Sequence, residues 1–271
     1  MFIVFGSPRS GTTLLKETLN LHPDIFIPMQ TTFISTAAHV IGSVSSWEHA
    51  VRILAEIAAE SDDYAGAFGS VLSKDEVRSA VMGAQPGLAG VLEALYGAMA
   101  GKLGKRICGD KSPDDLLSIR KLEQAGLLTS NLKFIHIVRD VRGSLASLLN
   151  VDWAPQGIEE YFPRIWNYTN LHLYRAMSGA PNYMMLKYET LVAEPRPVVE
   201  QLVELLGLDF VPGMLDAERR GMSLRSNPSH LNLSRPFLPE RAHAWRSKLT
   251  PGQIEHCESS AHEALKVFDY I

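Results

Sequence analysis

The sequence predicts an α/β fold: a three-layer arrangement in which a mainly parallel β-sheet is flanked by helices, with one helical insertion. Three observations carry this expectation. Short β-branched or aromatic runs alternate with helical patterns along the 271 residues, the signature of successive βα units. The first such run leads into a helix through a turn of glycine and hydroxyl residues. A long middle stretch, about 35–104, shows helical patterns with no strand between them. A chain of this length buries a sizeable core without disulfides or metals, and is read as a single domain over 1–271.

Taken in order, an apolar strand at 2–5 precedes a helix at 12–21. A second strand at 106–108 precedes a helical segment at 113–124, a third at 133–138 precedes a helix at 141–149, and a fourth at 183–187 precedes a helix at 197–206. The last helix is the best marked. Val198, Val199, Leu202, Val203, Leu205 and Leu206 form one apolar face, two prolines open it, and Gly207 can close it. The insertion holds helices at 47–60, 73–82 and 88–102. Ser73-Lys74-Asp75-Glu76 reads as a capping box that fixes the start of the second. Eight Asp and Glu against four Lys and Arg in 35–104 place no anion site there. Its helices are expected to pack on the sheet or to cover a substrate.

Composition narrows the functional classes. Hydrophobic residues at 46% and charged residues at 21% describe a folded globular chain. A net charge of -4 argues against nucleic acid as a partner. The first residues carry no basic leader, and the apolar stretch 87–101 falls short of the roughly 20 residues that span a bilayer, so no membrane span and a cytoplasmic location are expected. Cys108 and Cys257 lack C-x-x-C spacing, and no H-E-x-x-H occurs, so they read as reduced thiols and not as zinc ligands.

The most informative segment is Gly6-Ser7-Pro8-Arg9-Ser10-Gly11-Thr12-Thr13. Two glycines five apart, between an apolar strand and a helix, let backbone NH groups converge on an anion at the positive helix end. This is a phosphate-binding loop on a P-loop NTPase-like scaffold. It departs from G-x-x-x-x-G-K-S/T at one position, because Thr12 stands where the lysine belongs; Arg9 offers a cation inside the loop. That substitution argues against ordinary ATP hydrolysis. Arg139, at the end of the third strand, and Ser147, two helical turns on, give a fixed cation and a hydroxyl at the sheet edge where α/β proteins bind ligands. Asp140 reads either as a metal-binding acid or as a helix-capping, salt-bridged one. Arg142 reads either as an aid to Arg139 and Ser147 in clamping a phosphate or, the preferred reading, as a surface salt bridge.

Ser7 to Leu15 resembles the 5′-phosphosulfate loop of sulfotransferases that use 3′-phosphoadenosine 5′-phosphosulfate (PAPS). Phe134 to Ser147 resembles their 3′-phosphate motif. The likeness continues through Gly109-Asp110-Lys111-Ser112-Pro113, Lys187-Tyr188-Glu189-Thr190-Leu191-Val192, and Arg235-Pro236 with Trp245 ten residues later. It implies a PAPS-dependent sulfotransferase that releases adenosine 3′,5′-bisphosphate (PAP) and requires no metal. Its acceptor is expected to be a small molecule or glycan with a hydroxyl or amine. Assembly as a homodimer is compatible with this reading.

The resemblance assigns donor binding to Arg9, Ser10, Gly11, Thr12, Thr13, Arg139 and Ser147, with Tyr188 at the adenine. Residues 219–248, with seven Lys or Arg and one Glu, would fold over the donor through Arg235 and Arg241, while Trp245 anchors that loop. His230 and His243 are candidates for the acceptor side, with a partly buried structural role as the alternative. Lys111 and Arg9 would stabilise charge on the departing phosphate. The family's catalytic Glu follows the His22-Pro23-Asp24 turn, and this chain has Gln30 there. Gln cannot act as a base at neutral pH. It can orient the acceptor, with His39, Asp110 or His230 taking the proton. A small-molecule kinase and a non-catalytic nucleotide-binding homologue are the alternative classes.

Overall fold

A computed structural model describes residues 1–220 and 235–271. Five strands, β1 (Phe2–Phe5), β2 (Ile25–Phe26), β3 (Ile107–Lys111), β4 (Lys133–Val138) and β5 (Tyr183–Lys187), form a parallel sheet in the order β2-β3-β1-β4-β5, flanked by helices. The chain divides into two compact units: Met1–Phe5 with His22–Phe134, and Gly6–Leu21 with Ile135–Ile271.

In the first unit, β1 pairs with β3 in the register Phe2↔Gly109, Ile3↔Asp110 and Val4↔Lys111, and β2 adds Ile25↔Ile107 and Phe26↔Cys108. The strand expected at 106–108 therefore runs on through Asp110 and Lys111. Polar residues at a strand end hide it from a hydrophobicity pattern, and pairing with the fully apolar β1 supplies what propensity lacks. Gly109 is required there, because a Cβ would stand 2.4 Å from the Phe2 ring.

Four helices follow β2: α2 (Phe33–Ser43), α3 (Trp47–Glu60), α4 (Lys74–Met82) and α5 (Leu88–Leu103). Three match the expected insertion, and the Ser73–Glu76 capping box forms as read. The sequence reading lacked α2. The acids of this stretch are largely neutralised at home: Arg78 meets Glu56, Glu60 and Asp75, Lys102 meets Glu76, and Arg52 meets Glu48. A 3₁₀ turn (Pro113–Ser118) and α6 (Ile119–Gln124) lead to β4.

The second unit holds α1 (Thr12–Leu19), α7 (Val141–Leu148), α8 (Ile158–Met177), α9 (Tyr188–Ala193), α10 (Pro195–Leu206), α11 (Pro251–Ser260) and α12 (His262–Val267). Its core joins Val138, Val141 and Leu145 to Trp166 of α8 and to Trp245, Leu265 and Phe268. Asp140 caps α7 by accepting from Arg142 N–H (2.9 Å) and pairs with the Arg142 side chain (2.7 Å). Arg142 also meets Glu258 (2.6 Å) and the Tyr270 carbonyl and stacks on Trp245 at 4.3 Å. The expected surface pair is thus a buried one. No helix among the described residues is long and apolar enough to cross a membrane.

Candidate active site

The phosphate loop belongs to the second unit. Ser10 N–H donates to the Ser7 carbonyl (3.0 Å), which closes the turn. Arg9 adopts φ +66°, a left-handed conformation uncommon for a non-glycine residue. Gly11 has φ +100°, and a Cβ there would lie 2.6 Å from the Tyr188 ring. Only glycine combines that dihedral with that approach. Thr12 is buried and Thr13 half-buried at the start of α1.

Arg9 Nε donates to Ser147 Oγ at 3.1 Å, bonding the loop to the second sequence motif directly. Arg139 Nη1 donates to the Arg9 carbonyl (3.0 Å) and Nη2 to the Arg241 carbonyl (3.1 Å), while its guanidinium lies 4.3 Å from the centre of the Tyr188 ring. Arg9, Arg139, Ser147, Tyr188 and Arg241 are therefore one cluster. Among the described residues no carboxylate forms an ion pair with Arg9, Arg139 or Arg241. Burial, then the charges of Arg139 and Arg241, lower the Arg9 pKa. The nearby acid Glu189 is committed elsewhere, accepting from Asp140 N–H (3.1 Å) and Tyr270 hydroxyl (2.8 Å), and burial raises its pKa.

Among the described residues two buried donors at this cluster, Ser10 Oγ and Arg139 Nε, have no partner, and neither has Ser144 Oγ on α7. Unpaired buried donors are costly. Beside uncompensated guanidiniums they suit an anion with several oxygens. Tyr188 acts here as the platform under Arg139. Arg235 is exposed, and it is its carbonyl that is held, by Arg220 Nη2 at 2.9 Å. Arg220 itself is fully buried with its guanidinium 4.0 Å from the Phe237 ring centre, and burial lowers its pKa to about 10. Of the basic segment, residues 221–234 with His230 lie outside the described residues. Trp245 is buried as expected and His243 is exposed.

A polar relay not read from the sequence supports the loop from behind. Asn170 Nδ2 donates to Ser7 Oγ (2.8 Å) and to the Trp166 carbonyl (2.7 Å), leaving its Oδ1 facing His136 Nε2 (2.9 Å). His136 therefore carries its proton on Nε2, and Nδ1 accepts from the Tyr183 hydroxyl (2.8 Å). Burial lowers the His136 pKa to about 4, which keeps the ring neutral. The only sequence signal was a histidine inside an apolar strand.

The first unit holds the other predicted residues. Lys111 is buried at the end of β3, and its Nζ donates to Gln30 Oε1 (2.9 Å). Gln30 Nε2 donates onward to Asp114 Oδ2 (2.9 Å). The turn before Gln30 is fixed by Asp24 N–H donating to His22 Nδ1 (3.0 Å). Asp110 and Asp115 are fully buried. Asp110 accepts from the Tyr96 hydroxyl, and Asp115 accepts from Ser35 N–H (3.0 Å). Among the described residues each keeps one oxygen without a partner. Burial raises the Asp110 pKa to about 6; burial, then the charge of Asp110, raises that of Asp115 to about 8. His39 Nδ1 sits 3.0 Å from Lys121 Nζ.

A family model described as "Sulfotransferase family" matches residues 2–212. A "Putative protein-tyrosine sulfotransferase" of Caenorhabditis briggsae is 25% identical over 221 residues, 79% of this chain and 68% of that protein. The chain spans between 51% and 57% of the length of three further curated tyrosine sulfotransferases that it matches. The sulfotransferase domain from the Synechococcus PCC 7002 olefin synthase superposes with a TM-score of 0.62 at 24% identity, over 96% of this chain and 94% of that one. Mouse sulfotransferase SULT7A1, solved with PAP, gives 0.50 at 12% identity, over 97% and 83%.

Proposed function

Since the chain belongs to the sulfotransferase family, we propose that it transfers a sulfuryl group from PAPS to a hydroxyl or amine of a small-molecule or glycan acceptor and releases PAP. The observation that carries this reading is the cluster of Arg9, Arg139 and Arg241, which among the described residues has no paired carboxylate and leaves Ser10 Oγ and Arg139 Nε without partners. Such a site is relieved by a doubly phosphorylated ligand.

In this reading Arg139, Ser147 and Arg241 take the 3′-phosphate, and the backbone of Ser10, Gly11, Thr12 and Thr13 takes the 5′ end at the start of α1. Tyr188 supports the adenine side and Arg235 the donor's outer face. The acceptor atom bonds to sulfur as the sulfur–phosphate oxygen bond breaks, and the electron pair leaves on the phosphate. Arg9 and Lys111 are assigned to that departing charge, and Gln30 to orienting the acceptor. The helices of 35–104 are assigned to covering it. A second acceptor class, the phenol of a protein tyrosine, is favoured by the names of the curated relatives.

Thermal unfolding with ligands tests the donor. We expect PAP to raise the melting temperature, as any ligand specific to the native state does, and Arg139→Ala to lose most of that shift. Stabilisation by ATP with magnesium and none by PAP overturns the reading. Transfer of labelled sulfuryl groups to alcohols, amines, glycans and tyrosyl peptides separates the acceptor classes.

A further inference from the structure

We infer that Asp114 is the general base of this enzyme, displaced from the Gln30 position onto the next partner in a hydrogen-bonded chain; the inference rests on the sulfotransferase reading above. The orientation of the Gln30 amide is dictated by chemistry. An ammonium only donates, so Lys111 Nζ must face Oε1; the amide nitrogen then points at Asp114 Oδ2, which only accepts. Reversing the amide would oppose two donors at one end and two acceptors at the other. One amide thus ties a buried cation to an exposed carboxylate, and both come from the run Asp110-Lys111-Ser112-Pro113-Asp114. Among the described residues no other hydrogen bond engages that carboxylate, so Oδ1 is open.

The alternatives lack access or freedom. Asp110 and Asp115 are 0% exposed and cannot touch an acceptor. His39 is engaged with Lys121. Asp63 accepts at Oδ2 from the Thr32 N–H (2.8 Å) and hydroxyl (2.9 Å) at the start of α2, and among the described residues no hydrogen bond ties it to Gln30. The elements packed against the Asp114 turn are β1, α2 and α6. They bring His39, Arg120, Lys121 and Glu123 as charged or titratable neighbours, beside Lys111 through Gln30 and Asp115 within the turn. In the transfer step the acceptor O–S or N–S bond forms, the S–O bond to phosphate breaks with its electron pair going to phosphate, and the acceptor proton passes to Asp114 Oδ1. Gln30 is then a positioning residue that holds base and cation at its two ends.

The test uses the full chain, PAPS and an acceptor on which the parent is active. Asp114→Asn should lower kcat by about 10²–10⁴-fold, abolish the acid limb of the pH–rate profile, and leave the PAP-induced rise in melting temperature intact. Adding Gln30→Glu should restore at least about tenfold, because it returns a carboxylate to the neighbouring position. Asp114→Asn at the parent rate with an unchanged pH profile overturns the assignment alone. Loss of the PAP response in Asp114→Asn also overturns it, by making the residue structural. A parent that transfers to none of the four acceptor classes sinks the sulfotransferase reading and this assignment together.

Discussion

Asn170 tethers the phosphate loop through the Ser7 side chain. Its amide satisfies Ser7 Oγ and His136 Nε2 at once, and all three residues are buried. Removing it leaves a hydroxyl and a ring N–H without partners. Asn170→Ala should therefore cost about 1–3 kcal/mol per stranded group, measured by urea unfolding, and should weaken PAP binding because Ser7 loses its tether. Equal PAP affinity in the variant would show that the loop holds its shape unaided. The sequence told which residue types could bind phosphate, since Arg9, Ser10, Arg139 and Ser147 lie in a recognisable spacing. It could not tell that Asn170 belongs with them. That pairing spans 163 residues and exists only once the chain has folded. Gln30 was legible as a departure from a pattern, whereas its bonds to Lys111 and Asp114 were not.

At the level of elements, the turn between β1 and α1 is the most constrained. Gly11 combines a left-handed dihedral with contact against Tyr188, whose ring carries Arg139. Gly11→Ala should push Tyr188 and Arg139 aside together, lower stability by about 1–3 kcal/mol, and weaken PAP binding at least tenfold in titration calorimetry. A variant with parent affinity would separate the loop from the arginine cluster. Strands β4 and β5 were readable to the residue because they are bounded apolar runs. Helix α8 was missed. It carries Pro163 in its second turn and many polar residues, so its apolar stripe shows only against the packed core. The 3₁₀ turn Pro113–Ser118 replaced the first half of an expected helix, and it is this turn that presents Asp114 outward while Asp115 faces inward.

For the whole molecule, the buried acids give stability a definite pH dependence. The folded-state pKa of Asp115 is raised to about 8 and that of Asp110 to about 6, against about 3.9 in an unfolded chain. The folded state therefore retains protons that the unfolded state has released. Their contribution is full below about pH 4 and is lost as pH rises, through about 6 for Asp110 and about 8 for Asp115. The melting temperature should fall between pH 5 and 8, and Asp115→Asn should flatten that fall; identical slopes would place the titration elsewhere. Net charge alone suggested nothing of this kind. The value of -4 averages ion pairs that close on themselves in 35–104 with an arginine cluster that no carboxylate among the described residues pairs, and only local structure separates the two. The family match ends at residue 212, yet the buried guanidinium of Arg142, besides its pair with Asp140, draws partners from Trp245, Glu258 and Tyr270. A polypeptide cut at the boundary of the match would keep the Asp140 pair but lose those contacts, and with them Trp245, Leu265 and Phe268 of the core, so any graft or fusion must carry residues to at least 270.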